Sequence, residues 1–229
     1  HNCAKRYLIP AGICLLVIMG IFYYYFFSAM LPSGSSTQYV YIDNDDNIDS
    51  VYAKLQPLSE AQALNGFRTL TRHSSYDEHI KSGRYAIKPG QGAFTVFRHM
   101  KNGMQEPVNL TIPSVRTLDR LSVEVSKRLL MDSTQLLQAL RDPKVCARYG
   151  YDTATIKCLF IPNTYDVYWN ISVDKLLDRM QKESKNFWNV DRTVRANELK
   201  LSPVQVITLA SIVDEETANN AEKPMVAGM

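Results

Sequence analysis

The sequence lacks the cysteine pairs that structural metal sites and dithiol redox centres require. Its four cysteines are Cys3, Cys14, Cys146 and Cys158, and no two of them form a CxxC motif. A zinc ribbon and a thioredoxin-type dithiol are therefore excluded, and neither a metal nor a cofactor is expected. In an oxidising compartment Cys146 and Cys158 either form a disulfide or remain two free thiols, and their spacing allows both.

The sequence also lacks a strong excess of one charge. Its 26 Lys and Arg residues stand against 23 Asp and Glu residues, which leaves a net charge of +3 over 229 residues. Proteins that bind nucleic acids concentrate positive charge to neutralise phosphates, so DNA and RNA are not expected as partners. With 45% hydrophobic residues, the chain instead has the composition of a folded protein of one or two domains.

Residues 7–30 contain no Asp, Glu, Lys, Arg or His. A helix rises about 1.5 Å per residue, so this segment is long enough to cross the ~30 Å hydrocarbon core of a bilayer. It is predicted to be a single transmembrane helix. Residues 1–6 are placed in the cytoplasm, because two basic residues precede the segment and none follows before Lys54. A cleaved signal peptide is the alternative, but the apolar run is long and no small-residue cleavage site directly follows it.

Beyond this segment the sequence predicts an α+β protein. Residues 31–37 are a Ser/Gly/Pro linker, residues 38–113 a small mixed domain, and residues 114–229 a mainly helical domain with a loop between Asp142 and Trp169. The chain begins without Met and ends at residues 226–229 without a stop-like tail, so we expect it to be a fragment. The predicted strands are 39–42, 83–90 and 108–112, and the predicted helices are 48–55, 60–72, 94–102, 117–130, 133–140, 172–187, 190–199 and 203–217.

The last predicted helix, residues 203–217, begins with a capping box at Ser202 and ends in three carboxylates. Glu216 follows Val213 by three positions and lies at the edge of the apolar stripe, whereas Glu215 points away from it. A carboxylate beside apolar side chains loses hydration, so we expect the pKa of Glu216 to rise toward the range of a general acid. The alternative is that the three carboxylates form a solvated acidic patch.

A second candidate cluster lies in the predicted loop. Asn163, Thr164 and Tyr165 are followed closely by Tyr168 and Trp169. Aromatic faces beside amide and hydroxyl groups suit sugar rings, which stack on the former and hydrogen-bond to the latter. The alternative is that these aromatic side chains pack in the protein interior.

These motifs together resemble the membrane-bound endolytic murein transglycosylases, the YceG-like or MltG-type family. The resemblance covers nearly the whole chain, and its most specific part is residues 209–217, where the family pattern is close to ASIVExET. Asp214 stands where the family has its first Glu, and Asn163 stands where it usually has Asp. The other matching segments are Gly83-Arg84-Tyr85-Ala86-Ile87, Thr111-Ile112-Pro113, Phe160-Ile161-Pro162-Asn163-Thr164-Tyr165 and residues 222–227.

The resemblance implies a LysM-like subdomain over residues 38–113 and a YceG-like catalytic domain over residues 114–229. It also implies cleavage of the MurNAc-β-1,4-GlcNAc bond in peptidoglycan strands with formation of 1,6-anhydro-MurNAc ends. The family continues beyond the point where this chain stops, so the fragment is expected to be inactive if the missing part of the cleft is needed. By this resemblance Glu216 is the catalytic acid, and the substrate-binding residues are Asn163, Thr164, Tyr165, Ser211 and Glu222.

The resemblance further implies a location in the bacterial inner membrane, with the catalytic domain in the periplasm. Peptidoglycan synthases are the protein partners expected from it. A different class of function stays open, namely a membrane-anchored peptidoglycan-binding or scaffold protein of the cell-wall machinery that cleaves nothing.

Overall fold

The computed structural model describes residues 2–32 and 34–228, with side chains from Pro10 onward. His1, Ser33 of the predicted linker and Met229 lie outside the described residues. The described helices are α1 (Asn2–Phe26), α2 (Ile48–Leu55), α3 (Ala61–Arg72), α4 (Ala93–Asn102), α5 (Leu118–Ser126), α6 (Ser133–Arg141), α7 (Pro143–Arg148), α8 (Val173–Phe187), α9 (Val190–Glu198), α10 (Pro203–Glu216) and α11 (Lys223–Ala227). The strands are β1 (Gln38–Ile42), β2 (Gly83–Ile87), β3 (Val108–Ile112) and β4 (Asn163–Val167), and short 3-10 turns span Gln56–Leu58 and Ile156–Leu159.

Helices and strands both contribute to each of two compact units, His1–Glu106 and Pro107–Met229, which confirms the α+β prediction. The predicted boundary after Pro113 is displaced. Strand β3 pairs with β4 of the second unit, with Leu110 opposite Tyr165, so the division falls before this strand rather than after it. Pairing between β3 and β4 therefore sets the boundary. The residues of β3 alone do not indicate with which strand it pairs.

In the first unit, β1 and β2 form an antiparallel pair that runs from Gln38 opposite Ile87 to Ile42 opposite Gly83. Alternate residues of β1 face the core, where Val40 and Ile42 are buried. Helices α2, α3 and α4 contribute the rest of this core, which is centred on an aromatic group with T-shaped contacts. Large buried side chains there include Phe67, Tyr76, Tyr85, Phe97 and Met30.

The end of α1 packs closely on α3 because Gly66 lacks a side chain. A Cβ atom at this position would overlap the carbonyl oxygen of Tyr25. Glycine therefore permits a backbone approach that any other residue would block.

Among the residues that the structure describes, no helix is long and apolar enough to cross a membrane. The membrane span over residues 7–30 stays a prediction.

The second unit is built on the β3–β4 pair and on helix α8. Segment 163–167, predicted as a loop, is strand β4, because Tyr165 and Val167 alternate inward along it. Helix α8 buries Leu176, Leu177 and Met180 against this core. The loop predicted between Asp142 and Trp169 also contains α7 and the second 3-10 turn. The predicted helix 117–130 ends at Ser126.

Candidate functional site

Helix α10 carries the three carboxylates to one end of the second unit. Its first turn is fixed by the predicted capping box: the backbone N–H of Gln205 donates to Ser202 Oγ at 3.3 Å, and the N–H of Ser202 donates to Gln205 Oε1 at 2.8 Å. Pro203 at the first helical position is compatible with this start. No residue of α10 is buried, so the helix lies on the surface of the unit along its whole length.

The three carboxylates at the end of α10 have different partners. Asp214 Oδ1 forms an ion pair with Lys223 Nζ at 2.7 Å, and Glu215 Oε1 accepts a hydrogen bond from Arg116 Nε. Glu216 is exposed, and within the described part of the chain its side chain forms neither an ion pair nor a hydrogen bond. Of the three, Glu216 is the one whose carboxylate is not committed to a protein partner.

The expected shielding of Glu216 by apolar neighbours is wrong. The apolar stripe of Val206, Leu209, Ala210 and Val213 is only partly covered: Val206 and Val213 are half-buried, whereas Leu209 is 48% exposed. Ile212, four positions before Glu216, is 49% exposed. The exposed side chains of Leu209 and Ile212 therefore form no wall that removes water from the carboxylate. All three acids are exposed residues, as the alternative expected, but two of the carboxylates are paired with Lys223 and Arg116.

The second predicted cluster divides between the surface and the core. Asn163 and Thr164 are exposed, and Thr164 Oγ1 shares a hydrogen bond of 2.9 Å with Thr111 Oγ1 across the sheet. Tyr165 is buried instead, and its hydroxyl donates to the carbonyl oxygen of Ile161 at 2.7 Å. The structure therefore corrects the assignment of Tyr165 to the substrate surface, because its ring packs in the core and its hydroxyl is already bonded. Burial also raises the pKa of Tyr165 above its ordinary value.

The outward face of the β3–β4 pair is a polar surface that sequence reasoning missed. Asn109 lies opposite Asp166, and Thr111 lies opposite Thr164, and all four residues are exposed. The sequence does contain a signal for this surface. Apolar and polar residues alternate in Val108–Ile112, which places the polar side chains on one face of the strand. Amide, carboxylate and hydroxyl groups in this arrangement can hydrogen-bond to the hydroxyl groups of a sugar.

Ser211 is the residue of α10 that lies beside the ends of the β3–β4 pair. It lines a small cavity of about 30 Å³ together with Pro113 and Pro162, which flank the adjacent ends of β3 and β4. The cavity thus brings the predicted residue Ser211 beside the strand ends next to Asn163. The hydroxyl of Ser211 donates to the carbonyl oxygen of Ile207 at 2.9 Å, within its own helix.

Glu222 stabilises the turn that follows α10. Its carboxylate accepts hydrogen bonds from Thr217 Oγ1 at 2.8 Å and from Asn219 Nδ2 at 2.9 Å. Both carboxylate oxygens are therefore used to hold the chain between α10 and α11. Glu222 was predicted to bind substrate, and this stays a prediction. In the structure its carboxylate stabilises the segment that follows Glu216.

Cys146 and Cys158 are both buried and free, so they do not form the disulfide that the sequence left open. Cys146 Sγ donates to the carbonyl oxygen of Leu140 at 3.3 Å. Burial raises the pKa of both thiols, which keeps them protonated and unreactive at neutral pH. Across residues 2–32 and 34–228 there is no group of three or more His, Cys, Asp or Glu side chains that would hold a metal ion.

A larger cavity of about 560 Å³ lies between the start of α5 and the end of α10. Arg116, Arg120 and Glu215 contribute its charged side chains. Sequence reasoning did not find it, because Arg116 and Glu215 are far apart in the chain and only the fold brings them together. No local pattern of residues signals such a contact.

The comparisons with known proteins agree with the sequence resemblance. The model of the YceG-like family matches residues 40–229. Two curated proteins of similar sequence are named endolytic murein transglycosylase and come from Streptococcus pneumoniae, strains D39 and R6. Each is 23% identical over 253 residues, which covers 95% of this chain and 44% of the relative. The chain thus spans less than half the length of these relatives.

One solved structure is also similar. It is the crystal structure, at 2.6 Å resolution, of a YceG-like protein from Listeria monocytogenes. The TM-score is 0.47 and the sequence identity is 17%, with 82% of this chain and 67% of that chain covered.

Proposed function

The chain belongs to the YceG-like family, and on this premise we propose that it acts as an endolytic lytic transglycosylase on peptidoglycan. The observation that carries the proposal is the family match over residues 40–229, which includes Glu216 as the uncommitted carboxylate at the end of α10. The names of the two streptococcal relatives support murein as the substrate.

In this proposal Glu216 performs both proton transfers. Hydrolytic glycosidases generally need two carboxylates, of which one is the acid and the other the nucleophile or base. Here Glu216 first protonates the glycosidic oxygen that leaves with GlcNAc, and the bond from this oxygen to C1 of MurNAc breaks. The resulting carboxylate then takes the proton of the MurNAc C6 hydroxyl while that oxygen closes on C1. The acid is regenerated, the 1,6-anhydro ring forms, and no water is consumed.

The polar face of the β3–β4 pair is the surface that we propose for the glycan strand. Asn163 and Thr164 would contact sugar hydroxyls there, and the cavity at Ser211 continues this surface toward α10. A bound strand would cover Glu216 and remove water from it, which the open helix does not do by itself. Proton transfer from the carboxyl group to the glycosidic oxygen would then take place in a site with little water.

A second candidate function is binding of peptidoglycan without cleavage. The exposure of Glu216 favours it, because a catalytic acid normally needs an environment that holds its proton at neutral pH. In this case the polar sheet face would hold the glycan, and the carboxylates of α10 would serve only solubility. The first unit, proposed to be LysM-like, would contribute to glycan binding under either function.

Membrane attachment and a periplasmic location belong to the proposal as well. The apolar side chains of α1 between Ile13 and Tyr24 are largely exposed, which favours an apolar environment for this helix. A tether would hold the glycan-binding units close to newly made strands and to their synthases. Fractionation of cells that express the chain tests this. Recovery in the membrane fraction is expected, and recovery only in the soluble fraction would contradict it.

The activity is tested with purified peptidoglycan and three proteins: the chain itself, Glu216→Gln and Asp214→Asn. Loss of the general acid is expected to lower the cleavage rate by about a hundredfold or more. Asp214→Asn is the matched control, because it removes a neighbouring carboxylate that is paired with Lys223. Anhydro-ended products are measured by mass spectrometry, and glycan binding by co-sedimentation.

Each outcome of this experiment separates the candidates. Anhydro-ended products from the chain and from Asp214→Asn, but not from Glu216→Gln, support the transglycosylase. Equal cleavage by Glu216→Gln contradicts the role of Glu216. Equal binding by all three proteins, with no product from any, supports the binding protein. Absence of both binding and products rules out both functions for this chain.

A further inference from the structure

The cavity between α5 and α10 has an excess of positive charge. Arg116, Arg120 and Glu215 line it, together with Ser114, Val115 and Thr117. Glu215 is its single acidic group and is already bonded to Arg116. Arg120 is close enough to Glu124, one turn further along α5, to interact with it electrostatically, but Glu124 forms its ion pair with Lys127. The guanidinium of Arg120 forms no ion pair with the carboxylates that the structure describes and can donate to a ligand in the cavity.

Lys157 adds a positive charge near this site. Its Nζ donates to the backbone carbonyl oxygen of Arg116 at 3.4 Å, although its side chain lines the small cavity at Ser211 and not this one. Among the residues that line the larger cavity, two arginines stand against one carboxylate. The guanidinium of Arg116 is also accessible, since 73% of its side chain is exposed. A concave site with surplus cations and open access favours an anion.

The Arg116–Glu215 pair fixes the position of this site relative to the candidate acid. Glu215 directly precedes Glu216 in α10, so the cavity begins one residue away from the carboxylate proposed for catalysis. Because the side chains at these two positions point in different directions, a ligand group in the cavity and a sugar linkage at Glu216 would occupy separate places. A substrate that reaches both must carry an anionic branch beside the linkage.

We propose that this cavity binds a carboxylate carried by muramic acid, with Arg120 as the residue that contacts it. The inference rests on the proposed function and names a specificity determinant for it. Two sources share this chemistry: the lactyl carboxylate of strands without peptides, and the carboxylates of the peptide in intact strands. Guanidinium groups bind carboxylates through paired hydrogen bonds, which provide orientation as well as affinity. Arg120 thereby distinguishes muramic acid from N-acetylglucosamine, which carries no carboxylate.

Binding of three glycans by the full chain tests the proposal. The probes are peptide-free murein strands, murein strands with intact peptides, and chitin oligosaccharides, which contain N-acetylglucosamine alone. Arg120→Gln is compared with Arg128→Gln, an exposed arginine near the end of α5 that does not line the cavity. Arg120→Gln is expected to weaken binding of murein about tenfold, as the loss of one charge-assisted contact predicts. Binding of murein by Arg120→Gln should also depend less steeply on the salt concentration than binding by the unmodified chain.

The controls keep the outcomes distinct. Chitin binding is expected to be equal in all variants, and Arg128→Gln is expected to bind murein as the unmodified chain does. A loss confined to peptide-free strands identifies the lactyl group, and a loss confined to intact strands identifies the peptide. An equal loss on chitin, or no loss on murein, overturns the proposal and leaves the proposed function standing. If the unmodified chain binds no murein, both fail together.

Discussion

The start of α10 offers a test of how the helix that carries Glu216 is held in place. Ser202→Ala removes the oxygen that accepts the N–H of Gln205, whereas the backbone N–H of residue 202 can still donate to Gln205 Oε1. Loss of an N-cap of this kind costs about 1 kcal/mol. Because α10 buries no residue, this loss should fall on local opening of the helix rather than on unfolding of the whole unit.

The matched control is Ser172→Ala at the start of α8. Ser172 Oγ accepts the N–H of Lys175 at 3.4 Å, so a similar bond is removed, but α8 buries Leu176 and Met180 in the core. There the same loss should subtract from the free energy of unfolding of the whole unit and lower its melting temperature by a few degrees.

Hydrogen exchange read by mass spectrometry distinguishes the two cases. In Ser202→Ala the amides in the first half of α10 should exchange about fivefold faster, which is the change in open population that 1 kcal/mol produces. The slowest amides and the melting temperature should not change. A fall in melting temperature as large as that of Ser172→Ala would refute the reasoning, because it would show that α10 unfolds only together with the core. Unchanged exchange in α10 would refute the contribution of the cap.

Three further predictions concern the second unit. Leu110→Ala truncates a fully buried side chain of β3 and should lower the free energy of unfolding by about 3 kcal/mol in a denaturant titration. Burial and the hydrogen bond to Asp178 raise the pKa of Tyr149 to about 12, so its contribution to stability is complete below about pH 10 and is lost as the pH rises through 12. Absorbance titration against Tyr149→Phe measures this, and an ordinary tyrosine pKa would contradict it. Cys146 and Cys158 should react with a thiol reagent only after denaturation, and rapid labelling of either in the native protein would contradict their burial.

Local features of the fold could be predicted from the sequence. Strands β1 and β3 alternate buried and exposed residues, and the box at Ser202 needs only residues within one turn of helix. These features are encoded by neighbouring residues, so a single sequence contains the information. The family resemblance rests on short motifs in the same way, and the family match over residues 40–229 confirms it.

The features that were missed or wrong depend on distant parts of the chain. Strand β4 becomes a strand because β3 pairs with it, and this pairing turns Tyr165 into the core. The shielding of Glu216 was inferred from an apolar stripe, but a stripe shields a neighbour only when another element packs on it. The cavity at Arg116 and Glu215 forms where the segment that leads into α5 meets the end of α10, and no sequence pattern connects these two parts of the chain.

In the proposed function Glu216 cleaves the glycan by transferring a proton twice without the use of water. Digestion of peptidoglycan in isotopically labelled water tests it most directly, because hydrolysis places the label on each new reducing end and ring closure does not. We predict unlabelled anhydro ends from the chain and no new ends from Glu216→Gln. Labelled reducing ends, or unlabelled ends formed equally by Glu216→Gln, would contradict the claim.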